Sequence, residues 1–413
     1  KNTDGIWIKY EQGSDYRPLW KSLQGKNTGW CTAGENMAKT QLSSGDFYVY
    51  YTKDENREYK EPRVAIRMDG KFEIGEVRGV DANQNLEDCM TGVVEKKLNE
   101  FSDKDAYLKK VNDMKLLTEI DNEVNNNIEL TKEELRFLYE VDSEIEGFGY
   151  EKDPRIREII DKRNQYEDYS AIFNVPVENV GLSEEDLYKK DVVCFAGNLK
   201  YDGEVVPNNL KHIKYIVGSV CFNNLTSAEG LENLQYIGGY AEFNNLTSAV
   251  GLESLQYIGG FAYFNRLTSA VGLESLQYIG GAAYFNRLTS AKGLENFEKA
   301  NFVDLNGLED ASGLGLKYVN HDLVINSLTS SKGFENLEYV GMNIFCKNLE
   351  DTIGFTNLQS VNGRPAEEFI SGIEKRNNSL KHKAVKILKR GKRQNIKGYC
   401  NREKLYLWIR VFI

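Results

Sequence analysis

The sequence lacks clustered cysteines and long apolar runs. Its six cysteines are scattered and form no CxxC motif: Cys31, Cys89, Cys194, Cys221, Cys346 and Cys400. This spacing excludes a disulfide framework or a zinc site and favours a reducing compartment, so we expect a cytoplasmic protein. No apolar run reaches about 18 residues and no signal peptide is visible, so we expect neither a membrane span nor secretion. Because the first residue is Lys rather than Met, we also expect an upstream portion.

Positive charge and phosphate-binding loops are missing as well. The formal net charge of -10 argues against a general nucleic-acid binder, because a surface that follows phosphates needs an excess of Lys and Arg. The 413 residues contain neither a Walker A sequence nor GxGxxG before a helix. Only three histidines are present, at His212, His321 and His382. We therefore expect no metal and no cofactor.

The first of four predicted segments, residues 1–86, carries strand signals. The runs "DFYVYYT" (46–52), "PRVAIRM" (62–68) and "FEIGEVRGV" (72–80) are rich in β-branched and aromatic residues, and polar turns separate them. They predict a three-stranded antiparallel meander. The stretch "GENMAKTQLSSG" before them predicts a short helix that ends at Gly45. The segment is therefore interpreted as a small α+β domain.

Residues 87–191 have the pattern of short helices and predict a helical connector. Thr131 and Glu134 form a capping box at the start of "LTKEELRFLYEVDSEI" (130–145). Asp153 as N-cap and Pro154 at the first helical position begin a second helix, and Ser183 begins a third over 182–190. The apolar stripes of these helices are modest, so we expect them to pack on a neighbour.

A sequence repeat fills residues 192–363. "LTSAVGLESLQYIGG" occurs at 246–260 and again, letter for letter, at 267–281. A fixed period of this length indicates a solenoid with one coil per repeat. Aligned on their leading leucine, the units of 20 or 21 residues begin at Leu225, Leu246, Leu267, Leu288, Leu308, Leu328 and Leu349.

The residues after each glycine pair alternate between apolar and other side chains, as at Ala262 and Phe264. This period of two predicts one strand per coil and a continuous parallel sheet. An asparagine follows directly and is predicted to bond exposed backbone groups between successive turns. It occurs at Asn223, Asn244, Asn265, Asn286, Asn306 and Asn326.

The repeat unit "LxSxxGLxxLxxIGGxxxFNx" resembles the short leucine-rich-repeat solenoids of bacterial and phage proteins, and also the coils of receptor L domains. It differs from the common leucine-rich pattern by Ala or Val at the first strand position and by its glycine pair. The resemblance covers residues 192–363. It implies a leucine-rich-repeat β-solenoid with a parallel sheet. Together with the two preceding segments this predicts an α+β fold, and residues 364–413 are predicted to form a C-terminal helix and basic tail.

Outward strand positions of the solenoid supply the candidate binding residues. Solvent-facing aromatic residues are costly unless something covers them. Neighbouring coils could stack Tyr on Tyr and stabilise the sheet, or helices of the chain could cover the rings. Alternatively, the face binds another protein, since aromatic anchors dominate interface energetics. Two columns are predicted to be exposed: Ser219, Tyr240, Phe261, Ala282, Phe302, Asp322 and Asn343, and beside them Cys221, Glu242, Tyr263, Tyr284, Asp304, Val324 and Phe345. The predicted partner-binding residues are Tyr240, Glu242, Phe261, Tyr263, Tyr284, Phe302 and Asp304.

The segments "GWCTAGENMA" (29–38), "GDFYVYY" (45–51), "PRVAIRM" (62–68) and "GEVRGVDANQNL" (75–86) together resemble the PcfJ-like domain of conjugative-plasmid and phage-associated proteins. That family has His-Cys where Trp30 and Cys31 stand in this sequence.

Four residues of the N-terminal segment are candidates for catalysis. Cys31 is predicted at a helix start, where backbone amides would lower the pKa of its thiol. Arg63, Glu76 and Arg78, with Gln84, are predicted on adjacent strands. They form either a salt-bridged sheet surface or a pocket in which the two arginines meet a phosphate. For Cys31 the alternative is a buried structural cysteine.

The C-terminal stretch Lys375–Lys404 holds twelve Lys or Arg residues and one acid, Glu403. It could contact nucleic acid or an acidic membrane surface, or it could be a solvated extension. Two hypotheses therefore stand for the whole chain. One is a protein-binding scaffold, and the other is an effector enzyme whose solenoid selects the target of the N-terminal domain.

Overall fold

The computed structural model describes residues 3–24, 34–80, 86–148, 151–189 and 191–393. The chain divides into two compact units. The first comprises Lys1–Glu140 and Glu144–Lys162, and the second comprises Val141–Ser143 and Arg163–Ile413. The fold is mixed α+β, with an antiparallel sheet in the first unit and a parallel β-solenoid in the second.

The first unit is built on a four-stranded antiparallel sheet of order β1-β2-β3-β4. Its strands are β1 (Gly5–Tyr10), β2 (Phe47–Lys53), β3 (Tyr59–Asp69) and β4 (Glu73–Gly79). The predicted three-stranded meander is confirmed as β2 to β4. The sequence reasoning missed β1, although its alternating "GIWIKY" is typical of a strand with one buried face.

Helices pack on both faces of this sheet, because the alternation of β3 sends successive apolar residues to opposite sides. Ala65 packs in a core with residues of α1 and α2, whereas Val64 and Ile66 pack in a core with residues of α3 and α4. The helices of the unit are α1 (Arg17–Leu23), α2 (Glu35–Ser44), α3 (Thr91–Leu98), α4 (Lys104–Asn125), α5 (Lys132–Leu138) and α6 (Pro154–Ile160).

The predicted helix signals are confirmed at three of four places. Gly45 follows the last residue of α2, Thr131 forms a capping box with Glu134 at α5, and Asp153 caps α6. The helix predicted over 182–190 is shorter, because the Asp186 carboxylate accepts hydrogen bonds from the backbone N–H groups of residues 182 and 183. That turn delays the helix, so that α8 spans only Asp186–Lys189.

The second unit is a β-solenoid of about 8 turns at a spacing of ~21 residues. Most turns carry two short strands, so the prediction of one strand per coil is wrong for them. First strands pair in parallel with first strands and second with second. The first are β5 (Val180–Gly181), β6 (Cys194–Phe195), β8 (Tyr215–Ile216), β10 (Tyr236–Ile237), β12 (Tyr257–Ile258), β16 (Tyr318–Val319), β18 (Tyr339–Val340) and β20 (Ser360–Val361). The second are β7 (Leu199–Lys200), β9 (Val220–Cys221), β11 (Ala241–Glu242), β13 (Ala262–Tyr263), β17 (Leu323–Val324) and β19 (Ile344–Phe345).

Two longer strands, β14 (Tyr278–Tyr284) and β15 (Lys299–Asp304), run through both positions. Between the two strands of their coils, the backbones at Gly238 and Gly259 approach closely. A Cβ atom added at Gly259 would lie 2.0 Å from the carbonyl oxygen of Gly238. This contact explains why the repeat keeps glycine at that position.

The recurring apolar positions form the solenoid core, as predicted. All seven leading leucines are buried. The rings of Phe222, Phe243, Phe264 and Phe285 form one internal column with centroid distances of 5.8, 5.5 and 5.4 Å. Stacking of identical residues in register lets each coil bury the apolar face of the next.

The asparagine column bonds differently from the prediction. The side-chain amides of Asn244, Asn265 and Asn286 donate to the amide oxygen of the asparagine one coil earlier, at 2.6, 2.6 and 2.9 Å. Within the described residues, Asn326 is the one member of this column that accepts a hydrogen bond from the backbone of the next turn. The donor is the N–H group of Lys347. Backbone carbonyls of preceding coils are bonded instead by another asparagine column at Asn233, Asn296, Asn336 and Asn357.

Helices stand at both ends of the solenoid, and α7 (Gln165–Phe173) lies at its start. After β21 (Arg364–Pro365), which pairs antiparallel with β20, α9 (Ala366–Arg393) packs Ala366 and Ile373 into the core. Arg376 donates to the carbonyl oxygens of Cys346 at 2.9 Å and Leu349 at 2.6 Å. The helix therefore caps the last turn, and the basic stretch is helical from Lys375 to Arg393. None of the helices in the described ranges has the length and apolarity that a membrane crossing requires.

Candidate functional site

The second strands place one row of outward residues in register, one from each coil. Glu242 lies opposite Tyr263, Tyr263 opposite Tyr284, and Tyr284 opposite Asp304. Adjacent strands are about 4.8 Å apart, so side chains in this row touch their neighbours. The solenoid thus converts residues 20 or 21 apart in sequence into a continuous surface.

Five rings on and beside this row form a surface that we call the aromatic wall: Tyr240, Phe261, Tyr263, Tyr284 and Phe302. Tyr240 is 44% exposed and Phe261 is 48% exposed, while the other three are half-buried. All seven predicted partner-binding residues therefore retain solvent exposure. Ala282, which was predicted to be exposed in the same column, is buried with 4% exposure. The register pairs it with Phe302, and the larger ring shields the methyl group.

Four of the five rings in the aromatic wall contact one another. Tyr263 and Tyr284 are stacked, with centroids 5.1 Å apart and planes at 5°. Phe261 lies 6.3 Å from Tyr263, and Phe302 lies 5.6 Å from Tyr284. Such stacking stabilises the sheet and also fixes the rings in position. The stacking that the sequence raised as one alternative is therefore present, and Tyr240 and Phe261 beside the stacked pair are exposed.

Two carboxylates flank the tyrosine pair in this row. Glu242 Oε2 accepts a hydrogen bond from the Asn223 side-chain amide at 2.6 Å and from the Cys221 thiol at 3.2 Å. Asp304 Oδ1 accepts from the backbone N–H of Asn306 at 2.9 Å. Burial raises the pKa of the Asp304 carboxyl. Burial also raises the pKa of the Cys221 thiol, and the hydrogen bond to Glu242 adds to this effect.

A second aromatic column, on the first strands, was missed by the sequence reasoning. We call it the tyrosine column, and its members are Tyr215, Tyr236, Tyr257, Tyr278, Tyr318 and Tyr339. Tyr257 stacks between Tyr236 and Tyr278, with both centroid distances at 4.9 Å. The sequence did contain a signal for this column, because Tyr recurs directly before the β-branched residue and the glycine pair.

The chain itself covers the beginning of the tyrosine column. Phe173 of α7 stacks on Tyr215 at 4.7 Å and lies 5.5 Å from Tyr236. The Tyr236 hydroxyl donates to the carbonyl oxygen of Val141 at 2.6 Å, and the Tyr257 hydroxyl donates to that of Asp142 at 3.4 Å. The beginning of this column therefore belongs to the internal packing of the second unit.

Of the catalytic candidates, Cys31 lies outside the described residues, as does Gln84. Arg63 binds the Glu87 carboxylate through Nε at 2.7 Å and through a terminal nitrogen at 2.6 Å. Glu76 forms an ion pair with Arg78. The register places Glu76 and Arg78 on the same face of the sheet as Arg63.

The described ranges contain no group of three His, Cys, Asp or Glu side chains placed to hold a metal ion. Their cysteines, Cys89, Cys194, Cys221 and Cys346, are free thiols. Burial raises the pKa of Cys194 to about 12, which makes that thiol a poor nucleophile at neutral pH.

Comparisons with protein families, with curated proteins and with solved structures find no match to this chain.

Proposed function

We propose that this chain is a cytoplasmic protein-binding scaffold whose solenoid contacts a partner protein through the aromatic wall. The observation that carries the proposal is the exposure of Tyr240 and Phe261 beside the stacked pair Tyr263 and Tyr284. Exposed aromatic clusters favour association, because contact with a partner removes their apolar surface from water. Stacking adds to this, since rings that are already held in place lose little conformational freedom on binding.

We also propose that the coils are leucine-rich repeats. Burial of every leading leucine from Leu225 to Leu349 supports this assignment. For residues 1–86 we propose a PcfJ-like domain. The strand order and the position of Arg78 and Gly79 at the end of β4 support this assignment.

The test of the binding function is a paired substitution in the aromatic wall. Partners captured by the wild-type chain would be identified by mass spectrometry, and one purified partner would be titrated against each variant. Tyr263→Ala with Tyr284→Ala should weaken its binding by about a hundredfold or more, because rings at an interface centre each contribute about 2 kcal/mol. Circular dichroism should show that the fold is retained.

The tyrosine column provides a matched control. Tyr318 and Tyr339 are also adjacent in register, and they are 37% and 38% exposed. Tyr318→Ala with Tyr339→Ala should leave the affinity within a factor of two or three. Equal affinities for wild-type and aromatic-wall variants would contradict the proposed function.

A further inference from the structure

The charge arrangement around the aromatic wall defines the chemistry of a partner, and this inference rests on the proposed function. Glu242 and Asp304 are three strand steps apart in the register. Since parallel strands are separated by about 4.8 Å, the two carboxylates lie about 14 Å apart along the solenoid axis. Tyr263 and Tyr284 lie on the two strand positions between these acids.

Within the described part of the chain, neither carboxylate forms an ion pair with a lysine or arginine. The hydrogen bonds that Glu242 receives come from the uncharged Cys221 and Asn223, and the one that Asp304 receives comes from a backbone N–H. The negative charge of a partly buried carboxylate loses hydration, and no neighbouring cation offsets that loss here. The raised pKa of Asp304 is consistent with this. Both acids are therefore suited to receive a cation from a partner.

The rings between the acids favour the same kind of ligand. Each ring of the stacked pair has one face turned away from its partner, and ring faces attract cations, above all the planar guanidinium of arginine. Nucleic acid is disfavoured here, because its phosphates would meet Glu242 and Asp304 in a chain of net charge -10.

An extended peptide matches these distances. A β-strand rises about 3.3 Å per residue, so residues i and i+4 lie about 13 Å apart and point to the same side. The residue at i+2 would then lie between Tyr263 and Tyr284. A spacing of three or five residues would turn one of the two side chains away from the surface.

We infer that the aromatic wall receives an extended segment of a partner protein that carries two basic residues four positions apart, paired with Glu242 and Asp304. Arginine is preferred to lysine at both positions, because guanidinium binds a carboxylate with two parallel hydrogen bonds. The residue midway between them is apolar or aromatic and packs on the tyrosine rings.

The experiment uses the full chain and synthetic, fluorescently labelled peptides in 0.15 M salt, with affinity read from anisotropy. The host peptide is rich in Thr and Ser, has Tyr at the central position, and carries Arg at i and i+4. Comparison peptides carry Arg at i and i+3, or Glu at i and i+4. We expect the i, i+4 arginine peptide to bind about tenfold tighter than either comparison peptide. Two partly exposed ion pairs together with contacts to the rings account for a difference of this size.

Variants separate specific pairing from general attraction to an acidic protein. Glu242→Gln with Asp304→Asn should remove the tenfold preference, whereas Glu229→Gln with Glu309→Gln, two exposed acids outside the second strands, should retain it. The inference is overturned if both double variants lose the same affinity, or if the i, i+3 peptide binds equally well. It is also overturned if sedimentation shows that the aromatic wall pairs with a second copy of the chain.

The outcomes distinguish this inference from the function on which it rests. If the peptides show no preference while Tyr263→Ala with Tyr284→Ala still abolishes capture of an identified partner, the binding function stands and the charge inference fails. If those tyrosine substitutions leave capture unchanged, both fail.

Discussion

The solenoid carries two aromatic columns that begin from the same sequence unit and meet different surroundings. In the tyrosine column, the ring and hydroxyl of Tyr236 are engaged by Phe173 and Val141 of the same unit. In the aromatic wall, Tyr263 stacks on Tyr284 between coils, and Phe261 beside it remains exposed. Repetition alone therefore does not make a binding face, since a face becomes available only where the rest of the chain leaves it uncovered.

The largest effect is expected where the two columns are joined. Gly259→Ala places a Cβ against the Gly238 carbonyl oxygen and must separate neighbouring coils, because neither backbone can move without breaking ladder hydrogen bonds. We expect a loss of about 3 kcal/mol in the free energy of unfolding, at the upper end for overpacked sites. Urea denaturation measures it.

Gly363→Ala is the control for this substitution. Gly363 has a positive φ of 67° but open space around its Cβ position, so it tests backbone strain without a clash. A loss at Gly259 no larger than the one at Gly363 would show that close approach is not what requires glycine at residue 259.

The next effect compares one ring from each column. Tyr236→Ala removes stacking with Tyr257, the contact with Phe173 and the hydrogen bond to Val141, so we expect a loss of about 2 to 3 kcal/mol. Tyr263→Ala removes mainly its stack on Tyr284, worth about 1 kcal/mol.

Thermal and urea unfolding of both variants would test this difference between the columns. Tyr236→Phe should recover most of the stability and lose only the contribution of the hydroxyl, about 1 kcal/mol. If Tyr263→Ala proves as destabilising as Tyr236→Ala, the aromatic wall is a packing element like the tyrosine column.

The smallest effect concerns Asp304 and depends on pH. Because burial raises its pKa above 3.8 in the folded state, the folded chain binds the proton more tightly than the unfolded chain. The resulting stabilisation is complete below the unfolded pKa and is lost as pH rises through the folded pKa. Asp304→Asn should therefore unfold at higher urea than wild-type at pH 7, and the advantage should disappear towards pH 4.

Asp310 is the matched control for this measurement, because its pKa is shifted in the opposite direction. Hydrogen bonds from Ser312 lower its pKa, so the charged form contributes stability above the unfolded pKa. Asp310→Asn should be the less stable variant at pH 7. The same direction of change for both substitutions would contradict the assigned environments.

Much of the solenoid could be predicted from the sequence, because inward positions must be apolar in every coil and the repeat makes each of them visible several times. The second strands and the exposure of Phe261 followed from this alternation. The first strands were missed because two residues before a glycine pair are too few to show a period. The asparagine bonding was missed because an amide at one position can reach either a neighbouring amide or a backbone group.

The covering of the tyrosine column could not be predicted from the repeat. The Tyr236 hydroxyl meets the carbonyl of Val141, 95 residues earlier in the chain, and no pattern within the unit encodes that distance. In the first unit, Arg63 and Glu76 were correctly placed on adjacent strands. The ion pair of Arg63 with Glu87 was not predicted, because Glu87 lies beyond the sheet and carried no signal in the sequence.

The two identical stretches at 246–260 and 267–281 give the molecule a natural increment of length. Duplication of one such unit would insert another coil and leave the end helices as they are, because each coil is shaped to fit a copy of itself. Every added coil would move the acids at either end of the tyrosine pair about 4.8 Å further apart. Duplication of a unit thus changes the distance between the two acids in whole steps and leaves the pattern of core residues unchanged.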